Sequence, residues 1–264
     1  MATKAATKAR FGSRAGKLGK LPPRLDERTL SLARYVDRAA LPAPPRQLDL
    51  AGAVGDWPMY GNDRRGDCTT AAAGHMIEAW TAAASGRAVE VGESAVVAAF
   101  DAVKIVDPVT GEEGAVELDL LKLWRSAGIG GHTIGAFAAV EVADRELVET
   151  AAFLFGGVYI GLQLPLQAQE QRVWDWAGTL RGPDAPGSWG GHAVDVVGYD
   201  DAGLTVVTWG ALQAMTWSFW EHYCDEAYCI ISRDFLSGGV SPAGFDVEAL
   251  DRDLALVAAG GAAS

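Results

Sequence analysis

Cysteine and histidine are scarce in this chain. Three cysteines (Cys68, Cys224, Cys229) in 264 residues are an odd number and too few for a disulfide scaffold. That points to a reducing compartment or to simple indifference to oxidation. With four histidines and no paired-cysteine motif, a structural zinc site is not expected, and no metal or other cofactor is expected either. Long apolar runs are missing too. No stretch approaches the ~18 uncharged apolar residues that a membrane span needs. The basic N-terminus has no apolar segment ahead of a small-residue cleavage site, so no signal peptide is expected. Internal repeats are absent.

What the chain has is apolar bulk, 49% of residues, enough for a sizeable core. It also has an uneven charge. Nine Lys and Arg residues fall within residues 1–34, against Asp26 and Glu27 alone, although the whole chain stands at −12. A basic arm thus precedes a strongly acidic body. Two readings of the arm stay open: a tail lying on its own acidic domain, or a tether through residues 1–34 to a nucleic acid or an assembly surface such as a virion. The acidic body itself repels polyphosphates.

Residues 1–48 read as the basic arm, a short helix within 25–38 and a proline-rich connector. Residues 49–264 read as one domain. In its first half helices dominate. Ala72, Ala73, Met76, Ile77, Trp80 and Ala84 share one helical face that stops at Ser85-Gly86. Helices also follow over 94–107 and "ELDLLKLWRSAG", and over "DRELVETAAFLFGG" with Asp144 as N-cap. In the second half strands dominate: "VYIGLQLP", two strands around a hairpin turn at residues 200–203, and "AYCIISRDFL". A terminal helix is expected over 245–258. The order indicates an α+β fold of two lobes, helical over about 49–157 and β over about 158–235, with a cleft between them.

Cys68 follows the turn "RRGD" at a helix start. The helix dipole and unpaired N–H groups there favour a thiolate, the reactive form. Its best candidate base is His192, which opens a strand straight after "GSWGG". The order Cys then His, 124 residues apart, together with "GGHAVDVVGYDDAGLTVVTWG", resembles the papain-like cysteine peptidases. The resemblance spans roughly residues 55–235. It implies a papain-like two-lobe fold and hydrolysis of peptide or amide bonds through Cys68 and His192, on a peptide or protein substrate. It puts Asn62 in the place of the glutamine that helps form the family's oxyanion hole. It also places Val207 where an asparagine orients the histidine, leaving Thr208 or Asp195 to do so. Gly66, Asp67, Trp189, Gly191 and Trp209 are expected to line the cleft. The segment "KLPPRLDERTLSLARYVDRAALPAPP…WPMYGNDRRGDCT" is similar to papain-fold proteins encoded by tailed phages of actinobacteria and by their hosts. That likeness implies a bacterial cytoplasm or a phage virion as the location. It leaves a second function open: an assembly protein that kept the fold after catalysis decayed, attached through its arm. A cell-wall endopeptidase or amidase is a third, disfavoured by the long Cys-to-His spacing.

Overall fold

The computed structural model describes residues 16–35 and 42–235. In chain order the elements are β1 (Leu30–Ser31), α1 (Leu32–Tyr35), β2 (Leu48–Asp49), α2 (Cys68–Ser85), α3 (Glu93–Val103), β3 (Ile105–Val106), β4 (Glu113–Gly114), α4 (Glu117–Ser126), β5 (Ile134–Ala139), α5 (Arg145–Phe155), β6 (Val158–Leu164), β7 (Val173–Trp174), β8 (Gly190–Tyr199), β9 (Gly203–Thr208), β10 (Ala211–Thr216), α6 (Trp217–Tyr223) and β11 (Cys224–Ser232). The terminal helix expected over 245–258 lies outside the described residues. Among the described residues, no helix is long and apolar enough to cross a membrane.

The main sheet runs β1-β5-β11-β6-β8-β9-β10-β7, with β2 added against β8. Its pairings are antiparallel except β1 with β5 and β7 with β10. The strand period of two separates two apolar cores. Val158, Ile160 and Leu162 of β6, Val194 and Val196 of β8, and Ala227 and Cys229 of β11 face one core, closed by α5 and α6. Tyr159, Ala193, Tyr228 and Ile230 face the other, which holds α2, α3 and α4. The fold is α+β, as expected.

The chain from Cys68 to Ala82 is buried on every side, not on one face alone. Helix α2 lies between β8 and the pair α3 and α4, and its alanines let the backbones approach closely. Gly86, at φ 73°, ends it by donating to the Ala82 carbonyl. The Asp144 carboxylate caps α5 by accepting from the Leu147 N–H.

The N-terminal region departs most from expectation. The short helix within 25–38 is described only over Leu32–Tyr35, behind β1, and the connector ends in β2. Both short strands join the main sheet, so described segments on either side of residue 40 belong to the fold. Residues 16–24 also pack against the body.

Candidate active site

Cys68 opens α2, where the turn of Gly66 and Asp67 leaves the first helical N–H groups without intrahelical carbonyls. Its side chain is buried, at 1% exposure. Burial pushes the thiol up to about 12, although the backbone amides of Ala193 and Gly19 lie close enough to favour the thiolate. Ala193 is the neighbour of His192 on β8, so the sulfur sits against the strand that carries the imidazole.

His192 is equally buried. Its Nε2 shares a 2.7 Å hydrogen bond with the Thr208 hydroxyl. Trp209 stacks on the ring at 4.5 Å between centroids, and Trp189 tilts against Trp209. Nδ1 has no hydrogen-bond partner among the described residues. Burial holds the imidazole down, to about 3, with His75 adding a smaller push the same way.

Of the two residues expected to orient His192, Thr208 makes the contact and Asp195 does not. Asp195 lies three positions along β8 and therefore on its other face. Both its oxygens are buried without a hydrogen-bond partner, and burial raises its pKa well above the carboxylate range. Val207 is opposite Asp195 in the β8–β9 ladder. It packs with Ala51, Ala79 and Val197, away from the imidazole.

A peptide already occupies this cleft: residues 16–21 of the chain itself. The Asn62 side-chain amide donates to the Lys17 carbonyl (3.0 Å) and to the Arg65 carbonyl (3.2 Å). The Lys17 N–H donates to the Asn62 carbonyl at 2.6 Å. Trp209 Nε1 donates to the same Lys17 carbonyl at 3.2 Å. Further along, the Gly19 and Lys20 N–H groups both reach the Gly191 carbonyl. Across the cleft, Ala115 donates to the Gly19 carbonyl (2.8 Å) and accepts from the Leu21 N–H (2.9 Å), a parallel bridge centred on Lys20. Gly19 has to be glycine here, because an added Cβ would stand 1.9 Å from the Gly66 carbonyl oxygen. The expected cleft residues Gly66, Gly191 and Trp209 thus line the space filled by this segment, and Trp189 packs against Trp209. Asp67 lies beneath it, fully buried, and burial pushes its carboxyl up to about 6 against the pull of the nearby Asn62 and Gly61 amides.

Beside Gly19, the Lys20 side chain enters a pocket of carboxylates. Its Nζ lies 2.8 Å from Asp225 and 2.9 Å from Glu226. Glu117, at the start of α4, is fully buried nearby with both oxygens unpartnered. Burial works against the charge on Lys20, but Glu117, Glu226 and Asp225 together hold its pKa above the ordinary value. Sequence reasoning missed residues 16–21, Ala115 and all four charged residues. The visible signal was the spacing of Gly16 and Gly19 in "GKLGKL".

The other histidines serve elsewhere. His75 bonds to the Pro58 carbonyl, His132 pairs with Asp234, and His222 stacks on Trp176. All three cysteines are free.

The fold is similar to that of several cysteine proteases. Xylellain, a cysteine protease from Xylella fastidiosa, superposes with a TM-score of 0.60 at 15% identity, over 87% of this chain and 99% of that one. The cysteine protease and lectin-like domains of Cwp84 from Clostridium difficile give 0.59 at 12%, over 83% and 56%. The proCathepsin B of Trypanosoma congolense gives 0.56 at 12%, over 87% and 93%. No protein-family model and no curated protein sequence matches the chain.

Proposed function

We infer that this protein is a papain-like cysteine peptidase held closed by residues 16–21 of its own chain. The observation that carries this reading is the extended peptide lying in the cleft between α2 and β8. It is hydrogen-bonded on both sides, with a backbone carbonyl on the Asn62 amide.

The geometry supports the following roles. Cys68 is the nucleophile. His192 takes the thiol proton through Nδ1, the ring nitrogen that Thr208 leaves free, while Thr208 fixes the ring from Nε2. The thiolate attacks the substrate carbonyl carbon. The oxyanion is held by the Asn62 amide, which already holds a carbonyl oxygen, and by the N–H groups at the start of α2. His192 then returns the proton to the leaving amine, and water releases the acyl group. In the closed state the Gly19 amide lies close to the sulfur, and burial keeps both members of the pair neutral. Removing the segment restores water, and with it the conditions for a thiolate–imidazolium pair.

The assembly-protein reading, with the arm gripping a virion or a nucleic acid, draws less support. Lys20, Arg24 and Arg28 spend their charges on Asp225, Glu226, Asp119 and Asp26 within the chain.

Iodoacetamide labelling of the full-length Gly19→Val chain tests the peptidase reading, since the added side chain collides with Gly66 and displaces the segment. Cys68 should label at pH 6 at least 100-fold faster than in the wild type, and His192→Ala should remove that gain. Labelling of Cys68 no faster than that of Cys224 in the displaced chain would refute the active pair.

A further inference from the structure

We propose that the pocket formed by Glu117, Asp225 and Glu226 is the specificity pocket of this cleft, and that it selects substrates carrying a lysine or arginine side chain. The proposal rests on the peptidase reading and adds to it the class of substrate.

The pocket is a built site. Gly161 of β6 stands directly opposite Glu226 of β11 in the ladder. It supplies the space, because a Cβ there would lie 2.0 Å from Lys20 Cε and 2.8 Å from Glu226 Cγ. Two of the acids are held in place by neutral donors: Gln163 donates to Asp225 at 2.6 Å, and the Tyr228 hydroxyl donates to Glu226 at 2.9 Å. The third, Glu117, is at 0% exposure and has no hydrogen-bond partner among the described residues. From the start of α4 its charge acts on Lys20 together with those of Glu226 and Asp225.

Lys20 shows what fits. Its side chain is fully buried, with the ammonium between two carboxylates. Yet one ammonium does not use the acceptors available, since Asp225 Oδ1 and both Glu117 oxygens remain without a donor. A guanidinium, with five N–H groups, would use more of them. When the segment leaves, three carboxylates share a largely buried space with no counter-charge, a state that must take up either protons or a cation. The main chain of Lys20 reaches the Gly191 carbonyl, next to His192. A basic side chain in the pocket therefore anchors a substrate close to the reacting pair.

The test uses the full-length Gly19→Val/Lys20→Ala chain, in which the segment is displaced and the pocket emptied. If melting shows that this chain is not folded, Lys20→Ala alone empties the pocket without the backbone collision. Two capped peptides of sequence Leu-Gly-Xaa-Leu are compared, with Xaa lysine or its uncharged isostere norleucine. Binding is measured by calorimetry in a Cys68→Ala background, and hydrolysis in the background that keeps Cys68. The lysine peptide should bind at least tenfold more tightly, and Asp225→Asn/Glu226→Gln should erase the difference. Gly161→Val, which fills the pocket and leaves its charges, should do the same. Equal binding of the two peptides, or a lysine preference that survives both changes, overturns the proposal. The hydrolysis arm separates the two readings. Selective binding without hydrolysis keeps the pocket and removes the peptidase. Hydrolysis of both peptides at equal rates keeps the peptidase and removes the pocket.

Discussion

At Cys68 and His192 the cleft is lined by groups that burial holds neutral; at Lys20, beside Gly19 on the inserted segment, it is lined by buried charge. Both regions are covered by the same short peptide, yet they hold it by different means. At the reacting pair the contact is one of backbone and shape: Gly19 fits against Gly66, and the Lys17 carbonyl takes donors from Asn62 and Trp209. At the pocket the contact is an ion pair that cannot be lost without leaving carboxylates exposed to each other. On the proposed peptidase reading the neutral region is where chemistry has to switch on, so it benefits from a cover that water can replace. On the proposed reading of the pocket the charged region discriminates, because an apolar side chain entering it would leave charge unpaired.

Experiments that break this contrast can be ranked by expected effect. The largest falls at the neutral region. In the Gly19→Val chain, His192→Ala should lower peptide hydrolysis by about 10²–10⁴-fold, the usual contribution of a general base, measured as kcat/KM. Next comes the charged region. Lys20→Ala should destabilise the chain by about 3 kcal/mol in urea unfolding, because it strands the acids that Lys20 neutralises. Restoring a cation with Lys20→Arg should recover most of that loss, whereas Lys20→Met should not. Smaller is the hold on the base. Thr208→Val keeps the shape but leaves His192 Nε2 without its partner, and should reduce kcat about tenfold with KM little changed. Asp195→Asn, on the far face of the strand, should leave kcat unchanged.

The smallest effect is on stability against pH, and it sharpens the contrast outside the cleft. Glu78 is buried under Tyr60, and burial raises its carboxyl to about 7, although the tyrosine hydrogen bond pulls the other way. A carboxyl raised on folding contributes stability that is complete below its unfolded value near 4.5 and is lost as pH rises through 7. Buried His75 and His192, lowered to about 4 and about 3, have the opposite slope: their contribution is complete above 6.5 and is lost as pH falls through those values. Glu78→Gln should therefore flatten the fall in Tm between pH 5 and pH 8 and leave the acid side of the profile intact.

Much of the site's first half could be read from residue order. The glycine turn, the cysteine and the run of small apolar residues placed α2 and its stop at Gly86. "GSWGGH" placed His192 at a strand start. The choice between Thr208 and Asp195 was half legible, since residues three apart on one strand face opposite ways. The ladder decides between them: Val207 stands opposite Asp195, which puts Thr208 one step nearer His192 along β9. The strands β1, β2 and β7 have two residues each, too few for a pattern to stand out, and six-residue β10 fully buries Met215 alone, so it shows no alternation.

The arm shows the limit of local reading. Nine basic residues at one end of an acidic chain look like a solvated tail, and Lys20 among them looks no different from Lys17. What distinguishes it is an acidic pair 205 residues further along, and a glycine on a third strand that leaves room for its stem. The sequence by itself determined the helices α2 to α5, the hairpin, the cap at Asp144 and the chemical types available at Cys68 and His192, because these depend on periodicity and near neighbours. Only the tertiary structure decided that residues 16–21 fill the cleft, that Thr208 holds the imidazole, and that Lys20 is enclosed by Glu117, Asp225 and Glu226. Burial and charge pairing depend on which distant segments the folded sheet brings together, and no local pattern encodes that.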